Sequence, residues 1–469
     1  MLTARDFLYG EKSPWPAPSK FKPEGMPAMV PDLPRNEVQE FFGTIVERYN
    51  HNVTHDWPGA ARHCLLSPHL QPVSDHELVH QLSETCFSYA LNPTLDPADA
   101  ESFSAVLEQA QDDDRFYKVD FSAMEDFESY PGIYTAATVT LLRRRGGQLE
   151  AVAIRINGLV LTPEDTHAWQ LAKYFVLQAA TTLMTLCQHP RLHFPMDSVN
   201  AVTKTALPKN HVIFRLLEPH LRFSLPLNRS TLYHPKSIVS HNEKEIYTPY
   251  AGPTDSLREL ISIGYRGIAG NSSYPEYRFP MRPETIHSDY GTFVKVYYDV
   301  IYRFVEKVLQ GRVENDPLVR DWAGYISEWV PGFPDGEAIF AGDNLVAAIT
   351  FFIWDVSVMH SSDHNEFAGY PINQAPLRIR VPPPTAKRIP PLNLRKLTRR
   401  FDVFKYWMAK RMFFAPTNIS LLQDTEYNFE ESALRQTARD FLQELRDADA
   451  NMPVRRFVPL SEISRSIQY

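Results

Sequence analysis

The sequence predicts a mainly α fold with one small antiparallel sheet, and three observations predict it. Apolar residues recur at helical spacing over most of the chain. One β-rich stretch flanks the pair Gly146-Gly147, and two long, nearly uncharged segments each end in two histidines. With 469 residues, 43 % hydrophobic and 12 % aromatic, the chain can bury a large core and is not disordered. A net charge of -8 argues against binding nucleic acid along its length. Cys64, Cys86 and Cys187 are too few for a disulfide scaffold or a four-cysteine zinc site, so a reducing, cytoplasmic setting is expected.

Residues 1–36 carry a proline cluster from Pro14 to Pro34 that forbids helix and predicts an extended arm; residues 37–469 are expected to form one domain. No secretory signal is expected at the N-terminus. Asn36 is placed to cap a helix over 37–49, Ser74 one over 75–88, and Asp96 with Pro97 one running to 110. Residues 134–143 and 149–161 predict a hairpin around the glycine pair. Helices then follow over 167–188, 198–222, 254–263, 290–310, 340–364, 397–413 and 429–449. A second proline cluster, 371–391, reads as a stiff connector. The two apolar segments, 169–186 and 345–359, are too polar or too short to span a bilayer and predict helices buried on all sides.

Histidines carry most of the chemistry in view. His360 and His364 stand at i and i+4, a spacing that lets two imidazoles on one helix face share a metal; the plainer alternative is a helix emerging into solvent. His189 and His193 repeat that spacing at the end of the other apolar helix, with Pro190 between them. Two buried helices could thus meet in a mononuclear site of nitrogen and oxygen donors, suited to iron, manganese, copper or zinc. The string His76-Glu77-Leu78-Val79-His80 has the form of a zinc-protease site, or of a solvated helix face. Hydrolase, phosphate-loop and dinucleotide signatures are missing. Between Arg378 and Arg411, eleven cations face Asp402 alone, with Phe401, Phe404, Tyr406 and Trp407 among them. This segment is either a contact for anionic lipid or a solvated amphipathic helix.

From about Phe116 onward the sequence resembles the catalytic domain of a lipoxygenase. The residues that carry the resemblance are the 117–127 stretch before the hairpin and Trp169-Gln-Leu-Ala-Lys173. Further elements are Ala206-Leu-Pro208 and His211-Val-Ile-Phe-Arg-Leu-Leu-Glu-Pro-His220, with Val212 where the family has proline. Ile353-Trp354 leads to His360 and Tyr370-Pro371, and Glu462 to Tyr469 resembles the family's tail. The resemblance implies a lipoxygenase-like helical catalytic domain without the family's N-terminal β-sandwich. It also implies a mononuclear non-haem iron, with manganese as the alternative, and a dioxygenase or related oxidoreductase. Such an enzyme removes hydrogen from an unsaturated fatty acyl or similarly apolar substrate and then inserts dioxygen or rearranges the radical.

The implied ligands are His360, His364 and the carboxylate of Tyr469, which stands where the family has isoleucine. The family's first pair, spaced His-x4-His, has no direct match here. Counted from Trp169 it falls on Met184 and His189, and counted back from His193 on Leu183 and Gln188. His189 is therefore expected as the third imidazole, with His193 drawn in if the helix shifts. Phe175, Leu183, Met184, Phe352 and Trp354 are expected to line the substrate channel, with plain core packing as the alternative. A metal-free homologue that binds lipid or a partner, and a zinc metalloprotease centred on His76 and His80, are the competing functions. Expected partners are an apolar small molecule and dioxygen, with no nucleic acid, no transmembrane segment and at most peripheral membrane contact.

Overall fold

The computed structural model describes residues 33–469 apart from 34, 67–69, 235–236, 240–242, 246, 284–287 and 370–376. The expected arm, 1–36, lies almost wholly outside the described residues, as does the start of the 371–391 connector. The architecture is a helical body with one sheet, as expected.

Helix α1 (Arg35–Leu66) contains Asn36 rather than being capped by it, and it continues through Pro58. It is much longer than the 37–49 expected. Ser74 does cap α2 (Asp75–Glu84), its hydroxyl accepting from the Glu77 N–H, and a short 3-10 turn, Cys86–Ala90, completes the expected span. The helix expected after Asp96 breaks into α3 (Pro97–Ser102) and α4 (Ser104–Leu107).

The sheet is an antiparallel meander, β1 (Leu91–Asn92), β2 (Arg115–Asp120), β3 (Thr138–Arg145), β4 (Gln148–Ile156) and β5 (Leu159–Leu161), in sequence order. The hairpin signal is a two-residue turn with Gly146 at φ 56 and Gly147 at φ 84, and Arg145 pairs with Gln148 across it. Only glycine adopts two such angles in succession without strain. On one face of the sheet Val139, Leu141 and Ala153 pack on Phe103 of α3–α4; on the other, Leu142, Ile154 and Ile156 join the main core.

The body is built around two apolar helices. Helix α5 (Thr166–Leu183) is buried from Ala168 onward except at Gln170. Its Trp169 Nε1 and Lys173 Nζ both donate to Asp75 of α2, each at 2.7 Å, and Lys173 also donates to the Val73 carbonyl. The Trp-x-x-Ala-Lys element thus locks α5 to the preceding helix. Helix α6 (Pro190–Ala206) starts eight residues earlier than expected, and α7 (Val212–Leu217), α8 (Ser224–Tyr233) and α9 (Thr254–Arg266) follow.

Then come α10 (Asp289–Leu309), α11 (Pro317–Ser327), α12 (Asn344–Trp354), α13 (His360–Gly369), α14 (Arg400–Phe413) and α15 (Ser432–Ala450). Helices α8 and α11 were not expected from periodicity. The continuous helical run Asn344–Glu366 is long and apolar enough to cross a membrane, yet 94 % of its apolar window is buried within the protein. It is the core helix of the body.

Candidate metal centre

Both apolar helices open into a π turn directly before their first histidine. Met184–Gln188 follows α5, and Asp355–Met359 follows α12. The His189 N–H donates to the Met184 carbonyl at 2.8 Å, five residues back, and the His360 N–H donates likewise to Asp355. A π turn slips a helix by one residue, so side chains before it and after it face different directions. Pro190 fits because it is the first residue of α6, where a helix has no use for the N–H that proline lacks. His189 and His193 then lie on one face, as do His360 and His364.

The four imidazoles converge. One donor atom from each of His189, His193, His360 and His364 lies within 4.8 Å of every other, and all four residues are buried. His189 Nε2 is 2.8 Å from His193 Nε2 and 2.8 Å from His364 Nε2. The outer nitrogens of the first pair are engaged: His189 Nδ1 faces Asp363 Oδ2 at 3.3 Å, and His193 Nδ1 faces Asn228 Oδ1 at 2.8 Å. Asn228 is oriented by its own amide, which donates to Asp197 Oδ1 and to the His193 carbonyl, so its oxygen accepts from His193 Nδ1. The second pair is different. His360 Nδ1 and Nε2 and His364 Nδ1 make no hydrogen bond of good geometry. Their rings pack on Tyr469, at 5.2 and 4.7 Å between centroids, and His364 also packs on Phe414 at 5.0 Å.

Burial sets the electrostatics. It pushes His189 down to about 3 and His193, His360 and His364 well below the usual imidazole value, so all four are neutral near pH 7. It pushes the Asp363 and Asp197 carboxyls up to about 8 each. Because His193 Nδ1 is the donor, its Nε2 presents a lone pair, and His189 Nε2 has at most one proton to share between two neighbours. One of the two 2.8 Å contacts is then left without a bonding proton. A cation resolves this: nitrogens about 2.0 to 2.1 Å from one ion and at a right angle stand about 2.8 to 3.0 Å apart. The donor set, together with the orphaned nitrogens of His360, fits a transition metal held by imidazoles.

The C-terminal stretch completes the enclosure. Leu422 N donates to the Ile463 carbonyl at 2.9 Å, Arg465 N to that of Ser420 at 2.9 Å, and Ser464 N to Ser361 Oγ at 2.9 Å. His220 is a structural histidine, hydrogen-bonded to the Arg465 carbonyl and to Tyr427, while His211 caps α7 and pairs with Asp316. Buried Arg48 of α1 donates to the Gln468 carbonyl at 2.8 Å, and the Tyr469 main chain reaches the His360 ring.

A cavity of about 310 Å³ ends on His189, His193, His364 and Tyr469, with a wall that is chiefly apolar. None of the five residues expected to line a channel borders it. Phe175, Phe352 and Trp354 are packed in the core, and Leu183 and Met184 border a separate hollow of about 20 Å³ beside Cys86 and Tyr89. Phase along the helix is the reason: Thr185 and Leu186, four and three residues before His189, share its face and the cavity, whereas Leu183 and Met184, six and five before it, do not. Phe41, Ile45 and Phe414 are among the residues that line it instead. None of them carries a sequence signal beyond hydrophobicity.

The competing candidates do not assemble. His76 is exposed, and neither it nor His80 joins a ligand cluster among the described residues. Asp96, Asp99 and Asp120 do cluster, but around the Lys118 ammonium at 2.5, 2.6 and 3.6 Å, which already occupies a cation's place. The basic segment is neither a continuous lipid contact nor a wholly solvated face. Arg378 and Lys405 are buried, and Arg378 and Arg380 are tied to Asp402. Six cations, at 387, 388, 395, 396, 399 and 400, remain exposed.

No family model matches the chain. Human polyunsaturated fatty acid lipoxygenase ALOX15 is 24 % identical over 332 residues, which cover 62 % of this chain and 48 % of the human protein. The chain thus spans about half the length of this curated relative. A lipoxygenase crystallised in complex with arachidonate superimposes with a TM-score of 0.68 at 18 % identity, covering 99 % of this chain and 81 % of that one. The manganese lipoxygenase of Gaeumannomyces graminis gives 0.64 at 16 % identity, covering 93 % and 90 %. The chain is a divergent relative of the lipoxygenases, built on the fold of their catalytic domain.

Proposed function

We propose that the chain is a non-haem metal oxidoreductase of lipoxygenase type, acting on an unsaturated fatty acyl chain or a similarly apolar substrate with dioxygen. One observation carries this reading: a chiefly apolar cavity ends on four converged neutral imidazoles. His189, His193, His360 and His364 would hold iron or manganese, with a main-chain oxygen of Tyr469 as a further donor. The metal, when bound, would supply one-electron redox chemistry next to the substrate. The protein's own part is to bind and orient the substrate. Phe41, Ile45, Leu186 and Phe414 give a non-directional apolar wall, which suits an acyl chain. The same wall keeps water from the reacting carbon, so that a radical formed there meets dioxygen rather than solvent. The relatives support the substrate class, since the human protein is named for polyunsaturated fatty acid and one solved structure holds arachidonate.

The test is elemental analysis of untagged protein, followed by oxygen uptake with a panel of polyunsaturated fatty acids. Near-stoichiometric iron or manganese, with uptake that disappears in His360→Ala, is the expected outcome. Protein that carries neither metal, even after growth with added iron and manganese, would overturn the reading.

A further inference from the structure

Helix α13 contributes more than two imidazoles to the cluster. Between them it carries Asp363, a fully enclosed carboxyl one residue before His364. Its Oδ2 faces His189 Nδ1 at 3.3 Å, across the interface between the two histidine helices. Its Oδ1 accepts from the Tyr290 hydroxyl at 2.5 Å, and Tyr290 is met in turn by Tyr89 at 3.3 Å. Tyr290 is held from two further sides. Its ring packs edge-on against Phe457 at 5.1 Å, and the neighbouring Ser288 is hydrogen-bonded to Ser88 at 3.1 Å. His193, the partner of His189, has a neutral amide at the equivalent nitrogen. Of the two imidazoles from the first helix, one is therefore backed by an acid and the other by an amide.

We propose that Asp363, fixed by Tyr290, is a positioning residue that orients His189 and makes it the most electron-donating imidazole of the cluster. The inference rests on the metal-binding reading above and adds to it a named determinant of how tightly and in which oxidation state the metal is held. With Oδ1 accepting from Tyr290 and Oδ2 from His189 Nδ1–H, Asp363 has no hydrogen-bonded place for a proton of its own. This arrangement is that of the carboxylate, the form that a bound cation would favour over the acid that burial alone favours. The carboxylate fixes the His189 tautomer with Nε2 bare and pushes electron density toward Nε2. Added donor strength favours the higher oxidation state of the ion. Tyr290 keeps Oδ2 aimed at His189 by occupying Oδ1, and Tyr89 keeps the Tyr290 hydroxyl pointed at the acid.

Asp363→Asn and Tyr290→Phe in the full chain test this, measured beside the wild type. The readouts are the dissociation constant for Mn(II) by chelator competition, the midpoint potential of the iron-loaded protein, and the melting temperature of the metal-free protein. Asp363→Asn is expected to weaken Mn(II) binding about tenfold to a hundredfold and to raise the iron potential. Tyr290→Phe should move both in the same direction by less, and the metal-free melting temperature should stay within a few degrees. A merely structural carboxyl would lower that temperature and leave the potential of the folded fraction unchanged, which would overturn the proposal. Wild-type affinity and potential in a folded Asp363→Asn would overturn it as well, and if that variant does not fold, Tyr290→Phe decides on the same criteria. A wild type that binds neither metal would instead defeat the metal-binding reading itself, before any variant is compared.

Discussion

The two histidine helices are built alike and finished differently. Each is a buried apolar helix that opens into a π turn and delivers an i, i+4 pair of imidazoles. On the first, both outer nitrogens are hydrogen-bonded, to Asp363 and to the Asn228–Asp197 pair. On the second, His360 and His364 are held by the rings of Tyr469 and Phe414 and by burial. The first pair is thus directed by hydrogen bonds and the second by shape. Hydrogen bonds select a tautomer and a ring orientation, whereas packing limits where a ring can go without choosing its proton. An imidazole held only by shape can adapt to an arriving ion, and one held by hydrogen bonds presents its lone pair in advance.

Removing packing from the second pair should have the largest effect on stability. Phe414 is 7 % exposed and lies against His364 while also lining the cavity. Phe414→Ala is expected to cost about 3 to 5 kcal/mol in urea denaturation and to leave His364 free to turn, so metal retention should fall too. Unchanged metal affinity in the folded variant would mean that Tyr469 alone orients His364.

A charge change behind the first pair should be smaller and dependent on pH. Burial raises the Asp197 carboxyl from 3.8 to about 8, so the folded state holds that proton more tightly than the unfolded chain does. The associated stability is present in full below about 4 and is lost as pH rises toward 8. Asp197→Asn removes the titrating group. Relative to the variant, the metal-free wild type should therefore lose about 2 kcal/mol between pH 5 and pH 6.5, and more as pH rises further toward 8. Parallel stability–pH curves for the two proteins would show that Asp197 ionises in the fold as freely as in the unfolded chain.

The same contrast explains what could be read from the sequence. The helical body, the hairpin at Gly146-Gly147, the Ser74 cap and both histidine pairs follow from local spacing, which a linear text records. What stayed hidden depends on phase and distance. Leu183 and Met184 stand close to His189 in the chain, but at six and five residues before it they are off the face that Thr185 and Leu186 share with it, and they border another hollow. His193 read as the outsider of its pair because the expected spacing was one residue longer; in the fold it is 2.8 Å from His189. Asn228, Asp197 and Tyr290 lie from four to more than a hundred residues away from the histidine they serve. Of these, only Asp197 sits at a helical interval, four residues from His193, that could have flagged it.

The smallest effect should come from Met184, and it is the most informative about which residues the first helix turns toward the site. Counted from Trp169, the first ligand of the related family falls on Met184, five residues before His189, which makes its sulfur a candidate donor. In the structure it opens the π turn, is 4 % exposed and borders the small hollow beside Tyr89 and Cys86. Leucine has nearly the same volume and no donor atom. Met184→Leu should accordingly change stability by less than about 1.5 kcal/mol and leave metal content and spectrum as they are. Loss of metal with the fold intact would place the thioether on the ion. The first helix would then have to turn Met184 out of that hollow on metal binding, and His193 rather than Met184 would be the bystander of the first helix.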